Sequence, residues 1–233
     1  MWIIAGLSAL AGVLVLRFVP AGLFVGRINA AAWRAIAQHP VLLPVVSVTV
    51  IQASAQFTLF SYAVVAYRDA LGAGPSDVAT FLGITGFAGF VGNVFAGRAG
   101  DRIGPPTVIF GAITLMFFAF VVWVGLYAAG PGLAGTTLAV LAATLWGLGN
   151  FSANSMQQVR LVNLAPALAP VSVALNTSAI YLGQFIGAGI GGLALTHAIS
   201  APASRVLPWI GLPIFAVALW VSTACERRAE RTA

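Results

Sequence analysis

The sequence predicts an all-α integral membrane protein, a helical bundle of seven transmembrane helices. Of its 233 residues, 60% are hydrophobic and only 7% are charged, whereas a soluble domain carries about 25% charged residues. The apolar residues form runs long enough to cross a bilayer, for which a helix needs about 20 residues. The runs are continuous and lack the alternation of apolar and polar positions that barrel strands show over about ten residues. The spans are therefore predicted to be helices.

Charged residues, glycine or proline separate the candidate spans. In chain order the seven runs are Met1–Leu16, Leu42–Ala66, Ala79–Ala96, Thr107–Ala128, Thr137–Gln157, Val171–Thr196 and Val206–Cys225. Between the first two, Phe24 to His39 places Ile28, Trp33 and Ile36 beside two arginines, which predicts a short helix in the membrane interface. We expect residues 1–40 to form one span and a cytoplasmic linker, 41–225 a six-helix bundle, and 226–233 a cytoplasmic tail.

The arginines predict the orientation, because short cytoplasmic loops are enriched in Lys and Arg. Alternate loops divide the arginines nine to two, with only Arg68 and Arg205 in the poorer set. This predicts a multi-pass protein of the inner (plasma) membrane, with its N-terminus outside and its C-terminus in the cytoplasm. The alternative is that the first run is a cleaved signal peptide. It has no basic segment ahead of it, and cleavage would leave Arg27 and Arg34 outside.

The charged and reactive residues exclude several functions. There is no lysine, so a retinal Schiff base cannot form. The net charge is +6, but the arginines are scattered between apolar runs, and no nucleic-acid partner is predicted. Cys225 is the single cysteine and there are two histidines, so no metal or cofactor is predicted. Metalloprotease, hydrolase and nucleotide-binding motifs are absent from the sequence, so no enzyme activity is expected.

The loop predicted over Gly97 to Pro106 carries the pattern G-x-x-x-D-R-x-G, formed by Gly97, Asp101, Arg102 and Gly104. Gly97 would allow close helix contact and Gly104 a tight turn, and Asp101 could face the positive N-terminus of a neighbouring helix. Any two-span hairpin could use such a turn. The pattern nevertheless resembles the signature loop of major facilitator superfamily transporters, which implies a gating loop. Two prolines stand where that family usually has basic residues.

The sixth run strengthens this resemblance. Ala174 to Gln184, followed by Gly187, Gly191 and Gly192, resembles the eleventh helix of the drug- and sugar-efflux members, the arabinose-efflux-permease-like group. The resemblance implies that Met1–Leu16 corresponds to helix six and Leu42–Cys225 to helices seven to twelve. The first five helices of a twelve-helix carrier have no counterpart here.

Polar residues inside the runs are candidates for a substrate cavity, because such residues face a bundle interior or a water-filled cavity. Each of three runs carries a set on one helix face. The sets are Gln52 and Gln56; Trp146, Asn150 and Asn154; and Thr177, Tyr181 and Gln184. In the resembled fold they would converge on one neutral, hydrogen-bonding and aromatic site between two bundles. For each residue the alternative is a hydrogen bond between helices.

Small residues repeat every four positions at Gly183, Gly187 and Gly191, which predicts a helix-packing face. None of the five acids lies inside a run, so a proton-coupling carboxylate would have to come from elsewhere.

The leading hypothesis is the C-terminal part of a secondary transporter of the major facilitator type. It would export small organic solutes or drugs by alternating access, as an antiporter, and would be incomplete alone. Its partners would be a small-molecule substrate, the lipid bilayer, and a second helical bundle, either a missing N-terminal half or a second copy. The alternatives are a seven-helix binding or assembly protein without transport, and a non-functional truncated fragment.

Overall fold

The computed structural model describes residues 2–19, 30–198 and 202–230, and within these ranges every regular element is a helix. The α-helices are α1 (Trp2–Phe18), α2 (Ala30–Gln38), α3 (Leu42–Phe60), α4 (Ala63–Leu71), α5 (Pro75–Ile103), α6 (Pro105–Ala129), α7 (Leu133–Leu164), α8 (Ala169–His197) and α9 (Leu207–Glu230). Short 3₁₀ turns at Pro166–Leu168 and Ala203–Val206 precede α8 and α9. The prediction of an all-helical chain is confirmed.

Six helices among the described residues are long and apolar enough to cross a membrane. They are α3, α5, α6 and α7, together with α8 and α9 and the turns before them. They coincide with the second to seventh predicted runs and confirm six spans. A seventh span is not clearly shown, since α1 has only 17 residues and residues 8–19 are all exposed.

The predicted loop at Gly97 to Pro106 is almost entirely helical. Helix α5 continues to Ile103 and α6 begins at Pro105, so only Gly104 separates them, with φ of +82°. Glycine adopts this backbone region without the steric cost that a side chain would add. Proline suits the first turn of α6, where its missing N–H has no partner to lose. The loop prediction was wrong because polar residues mark where a helix emerges from the apolar layer of the membrane, and the helix can continue beyond that point.

The second predicted run, Leu42–Ala66, is interrupted near its C-terminal end. Helix α3 ends at Phe60 and α4 begins at Ala63, with a turn at Ser61 and Tyr62. Neither residue is proline or glycine, so the sequence carries no breaker signal here. The Tyr62 hydroxyl donates a hydrogen bond of 2.7 Å to the carbonyl oxygen of Ala188 on α8. This bond ties the break to a neighbouring helix.

The spans pack as two groups of three. Helices α5 and α6 both contact α7, and α8 and α9 both contact α3. The groups meet where α6 crosses α9, and there the rings of Phe120 and Phe215 stand edge to face with centroids 5.0 Å apart. Such aromatic pairs add about 0.5–1.5 kcal/mol beyond area burial. Helix α3 is the most buried span, since 67% of its most apolar 18-residue stretch is buried by the other helices.

Helix α2 lies within the segment predicted to form a short interfacial helix. Ile36 on α2 is buried at 2% exposure, whereas Trp33 is 46% exposed. Ile28 and Arg27 lie outside the described residues. The helix is thus two-faced, and its buried side joins the core through Ile36.

Two polar clusters hold the helix ends together. At one end the Ser204 hydroxyl donates to the Asp69 carboxylate and accepts a 2.8 Å hydrogen bond from Tyr127. At the other end Arg160 on α7 forms an ion pair with Glu226 on α9. Arg160 is 3% exposed, and one guanidinium nitrogen, Nη1, has no hydrogen-bond partner in the described part of the chain. Because the paired residues are far apart in sequence, no local pattern predicts either cluster.

Candidate functional site

A pocket of about 390 Å³ opens between α3, α5 and α7. Its lining is aromatic and polar without a charged residue, and consists of Phe57, Phe60, Leu82, Thr85, Gly86, Trp146, Asn150 and Phe151. Ligand sites are typically apolar concavities in which a few polar groups fix the orientation of the ligand. Trp146 and Asn150, predicted from one face of the fifth run, both lie in this pocket.

The Trp146 indole is the rigid wall of the pocket. It stacks on Phe60 with ring centroids 4.2 Å apart and planes 10° from parallel. The residue is 7% exposed, and its buried Nε1 has no hydrogen-bond partner among the described residues. A buried indole N–H usually finds an acceptor, so this donor is available to a bound molecule or to water.

A small cavity of about 20 Å³ shares four lining residues with the pocket, namely Phe60, Leu82, Thr85 and Trp146. Its other walls include Tyr67 and Trp123. A cavity needs about 10–15 Å³ of this volume to hold one water molecule. The cavity therefore has room for a water that could accept the unused indole N–H.

Asn150 and Asn154 lie one turn apart on α7, and their side chains are hydrogen-bonded to each other. The amide nitrogen of Asn154 donates a 3.1 Å hydrogen bond to the amide oxygen of Asn150. Beside them the Ser155 hydroxyl donates to the amide oxygen of Asn93 on α5. Sequence reasoning missed Asn93 and Ser155. Asn93 follows Gly86 by seven residues and so lies on the same helix face as that pocket residue, a signal that could have found it.

The two glutamines predicted for the cavity lie inside the bundle. Gln52 is 3% and Gln56 1% exposed, and neither lines the pocket between α3, α5 and α7. The Gln56 amide oxygen has no hydrogen-bond partner in the described ranges. An unpaired buried oxygen carries a desolvation cost of about 1–3 kcal/mol, so it is a candidate acceptor for an internal water.

The predicted set on α8 does not line this pocket either. Thr177 is exposed and donates to its own helix, at Val173, over 3.1 Å. Tyr181 is 66% exposed, and Gln184 is half-buried. Of the α7 set, Trp146 and Asn150 line the pocket, whereas Asn154 does not line it and is joined to it through its hydrogen bond to Asn150.

The glycines on α8 face α3 at close range. A methyl group at Gly183 would lie 2.6 Å from the carbonyl oxygen of Val50, and one at Gly191 would lie 2.8 Å from the Tyr62 ring. Gly187 lies between these positions, where a methyl group would be 3.0 Å from Cβ of Phe57. Nothing larger than hydrogen fits at these positions without separating the two helices.

The motif residues differ from the expectation at two points. A methyl group at Gly97 would meet no atom within 4 Å, so Gly97 does not mediate a close helix contact. Gly100 does, because a methyl group there would lie 2.6 Å from the Met156 sulfur. Asp101 and Arg102 are exposed, and no side-chain hydrogen bond or ion pair joins either of them to another described residue.

Comparisons with known proteins agree with this architecture. The family model of the Major Facilitator Superfamily matches residues 1–188. The chain is 24% identical to "Inner membrane transport protein YdhP" of Escherichia coli (strain K12) over 229 residues, which is 98% of this chain and 56% of that protein. It is 25% identical to "Probable sugar efflux transporter" of Mannheimia succiniciproducens over 194 residues, 82% of this chain and 46% of that protein.

A third relative is "Uncharacterized MFS-type transporter YbcL" of Bacillus subtilis (strain 168), with 27% identity over 128 residues, 55% of this chain and 30% of that protein. The chain spans about half the length of the first of these relatives. The members of this family are transporters and not enzymes, and none of the matches favours a non-transport protein. Because the family model covers most of the chain, and the six spans are apolar helices, the chain is a multi-pass membrane protein that belongs to the Major Facilitator Superfamily.

Proposed function

We propose that the chain is the C-terminal bundle of a secondary transporter that exports small, neutral organic solutes by alternating access. The observation that carries this proposal is the uncharged pocket of about 390 Å³ between α3, α5 and α7. In alternating access, two bundles rock against each other around a site near the middle of the membrane. Asn150 is near the middle of α7, at the depth that this mechanism requires.

The pocket chemistry favours a solute with both an apolar face and hydroxyl or carbonyl groups. The stacked rings of Phe60 and Trp146 offer a flat apolar wall, and the Asn150 amide can donate and accept hydrogen bonds. A charged solute would leave its charge unpaired against this wall, which is costly in a site of low dielectric constant. The name of the efflux relative agrees with this preference for a neutral solute.

A second bundle would complete the cavity. Large aromatic side chains are exposed on α5 and α8, including Phe90 at 67%, Tyr181 at 66% and Phe185 at 78%. With a second bundle against these helices, Thr177, Tyr181 and Gln184 would face the same cavity as Asn150. That bundle would come from an N-terminal half or from a second copy of the chain. An N-terminal half would also supply the carboxylate for ion coupling, which the apolar runs of this chain lack, so the chain alone is not expected to transport.

The topology belongs to the same proposal. Residues 1–40 would comprise a seventh span, formed by α1, and a cytoplasmic linker with an interfacial helix. Residues 41–225 would form the six-helix bundle and residues 226–233 a cytoplasmic tail. The arginine distribution supports an N-terminus outside and a C-terminus in the cytoplasm of the inner membrane. Asp101 and Arg102 would then lie in the cytoplasm and contact the second bundle during gating.

Ligand binding to the purified chain tests the pocket. We expect neutral amphiphilic solutes, including sugars and uncharged drugs, to raise the melting temperature of the chain in detergent. Asn150→Ala should weaken binding about fivefold, because a net hydrogen bond contributes about 1 kcal/mol. Asn163→Ala is the matched control, since Asn163 is exposed on the same helix. Equal binding by both variants, or preference for charged ligands, would contradict the proposal.

A further inference from the structure

The end of α9 and the start of α6 form a groove that the proposed transport mechanism does not use. The groove has a volume of about 480 Å³, and its walls include Thr107 and Phe110 of α6 and Thr223, Glu226 and Arg227 of α9. A second groove of about 520 Å³ shares Thr223 and Arg227 with it. We call the two together the α6–α9 groove.

The groove lies where an apolar span ends. The membrane-spanning segment that contains α9 ends at Arg228. Trp220, which lines the second groove, is 70% exposed and precedes Arg227 by seven residues, about 10 Å along the helix. Tryptophan is enriched at the level of lipid headgroups, and a nearby arginine can reach the phosphates there. The groove is therefore at the boundary between lipid and water.

The charge of the groove is positive. Among the described residues that line the groove, Glu226 carries the only carboxylate, and it is paired with Arg160. Arg227 is exposed in both parts of the groove, so its charge makes the described lining net positive. Thr107 lies in the first turn of α6, where the helix dipole adds partial positive charge.

The apolar surface beside the groove suits acyl chains. Phe110 is 42% exposed on α6, and Val217 is 48% exposed on α9 one turn before Trp220. A ligand with a negatively charged head and a long apolar tail could contact both the positive groove and this apolar surface. A soluble anion would contact only the positive groove.

We propose that the α6–α9 groove binds an anionic phospholipid. Its phosphate would contact Arg227 and the Thr107 hydroxyl, and its acyl chains would lie along Trp220 and Phe110. The inference needs only the membrane location of the chain and is independent of the proposed transport function.

Native mass spectrometry of the purified chain with added phosphatidylglycerol or phosphatidylcholine tests this inference. We expect phosphatidylglycerol to bind more strongly, and Arg227→Gln to weaken its binding about fivefold, the usual contribution of one arginine near an anionic lipid surface. Arg205→Gln is the matched control, because Arg205 is also exposed but lies just before the N-terminus of α9, at the end away from the groove. Thr107→Val retains the charge and the shape, and should also weaken binding.

Three results would overturn the inference. Equal loss in the Arg227→Gln and Arg205→Gln variants would mean that the lipid responds to net charge and not to this groove. Equal binding of the two lipids would show no preference for an anionic head. Displacement of phosphatidylglycerol by millimolar inorganic phosphate would identify the groove as a site for a soluble anion instead.

Discussion

Replacing Gly187 on α8 by alanine tests whether the glycine face sets the distance between α8 and α3. The new methyl group would lie 3.0 Å from Cβ of Phe57 and 3.1 Å from its carbonyl carbon, and it would also press on the Ser54 carbonyl oxygen. Two of these three atoms belong to the α3 backbone, so a change of side-chain rotamer cannot relieve the clash. Overpacking of this kind costs about 1–3 kcal/mol.

Gly189→Ala is the matched control. Gly189 is two residues further along the same helix, and a methyl group there would meet no atom within 4 Å. Both substitutions gain the same helix propensity, up to about 1 kcal/mol, so this gain cancels when the two variants are compared. The difference between their unfolding free energies therefore isolates the steric cost, and we expect it to be about 1–3 kcal/mol.

The assay is reversible unfolding in mixed micelles of dodecylmaltoside and SDS, followed by far-UV circular dichroism. We expect Gly187→Ala to unfold at a lower SDS fraction than Gly189→Ala. Equal midpoints, or a more stable Gly187→Ala variant, would refute the claim that close approach of α8 to α3 depends on this glycine.

Three further substitutions test individual polar contacts, the first two in the same unfolding assay and the third by hydrogen exchange. Glu226→Gln should destabilise the chain by about 3 kcal/mol, because it leaves the Arg160 charge buried without its partner. The double variant with Arg160→Met should recover part of this loss. No recovery would contradict the ion-pair account. Asn176 is fully buried and accepts a 2.6 Å hydrogen bond from Thr49, so Asn176→Ala should cost about 0.6–1.7 kcal/mol from that bond, and an unchanged midpoint would show that the bond contributes nothing. Tyr62→Phe should cost about 1 kcal/mol by freeing the helix break from α8, measured as faster hydrogen exchange in α4 and contradicted by unchanged exchange.

The spans were predictable because a helix that crosses the bilayer needs about 20 consecutive apolar residues, and such a run is visible in the local sequence. The four-residue spacing of Gly183, Gly187 and Gly191 was equally informative, since a repeat of four positions places residues on one helix face. The break at Ser61 was not predictable. No proline or glycine marks it, and it depends on a hydrogen bond from Tyr62 to a residue 126 positions away.

The candidate site was only partly predictable for a related reason. Periodicity shows which polar residues share a helix face, but the rotation of each helix against its neighbours decides what that face meets. The face with Trp146 and Asn150 meets the pocket, whereas the face with Gln52 and Gln56 meets the bundle interior. Packing also decides which glycine of the motif contacts a neighbouring helix. The close contact predicted at Gly97 is therefore found at Gly100 instead.

The central claim is that the pocket beside Asn150 belongs to a water-filled cavity in the membrane. Cys225 is the single cysteine of the chain and is buried, so a Cys225→Ser background allows one cysteine to be placed at a chosen position. Asn150→Cys places it in the pocket, and Phe118→Cys places it on α6, where Phe118 is 51% exposed near the middle of the span.

The measurement is labelling of both variants in native membranes with a small, water-soluble maleimide, which reacts with the hydrated thiolate. The account predicts that the cysteine at position 150 is labelled and that the one at position 118, facing lipid, is not. Failure to label position 150, or equal labelling at both positions, would contradict the account.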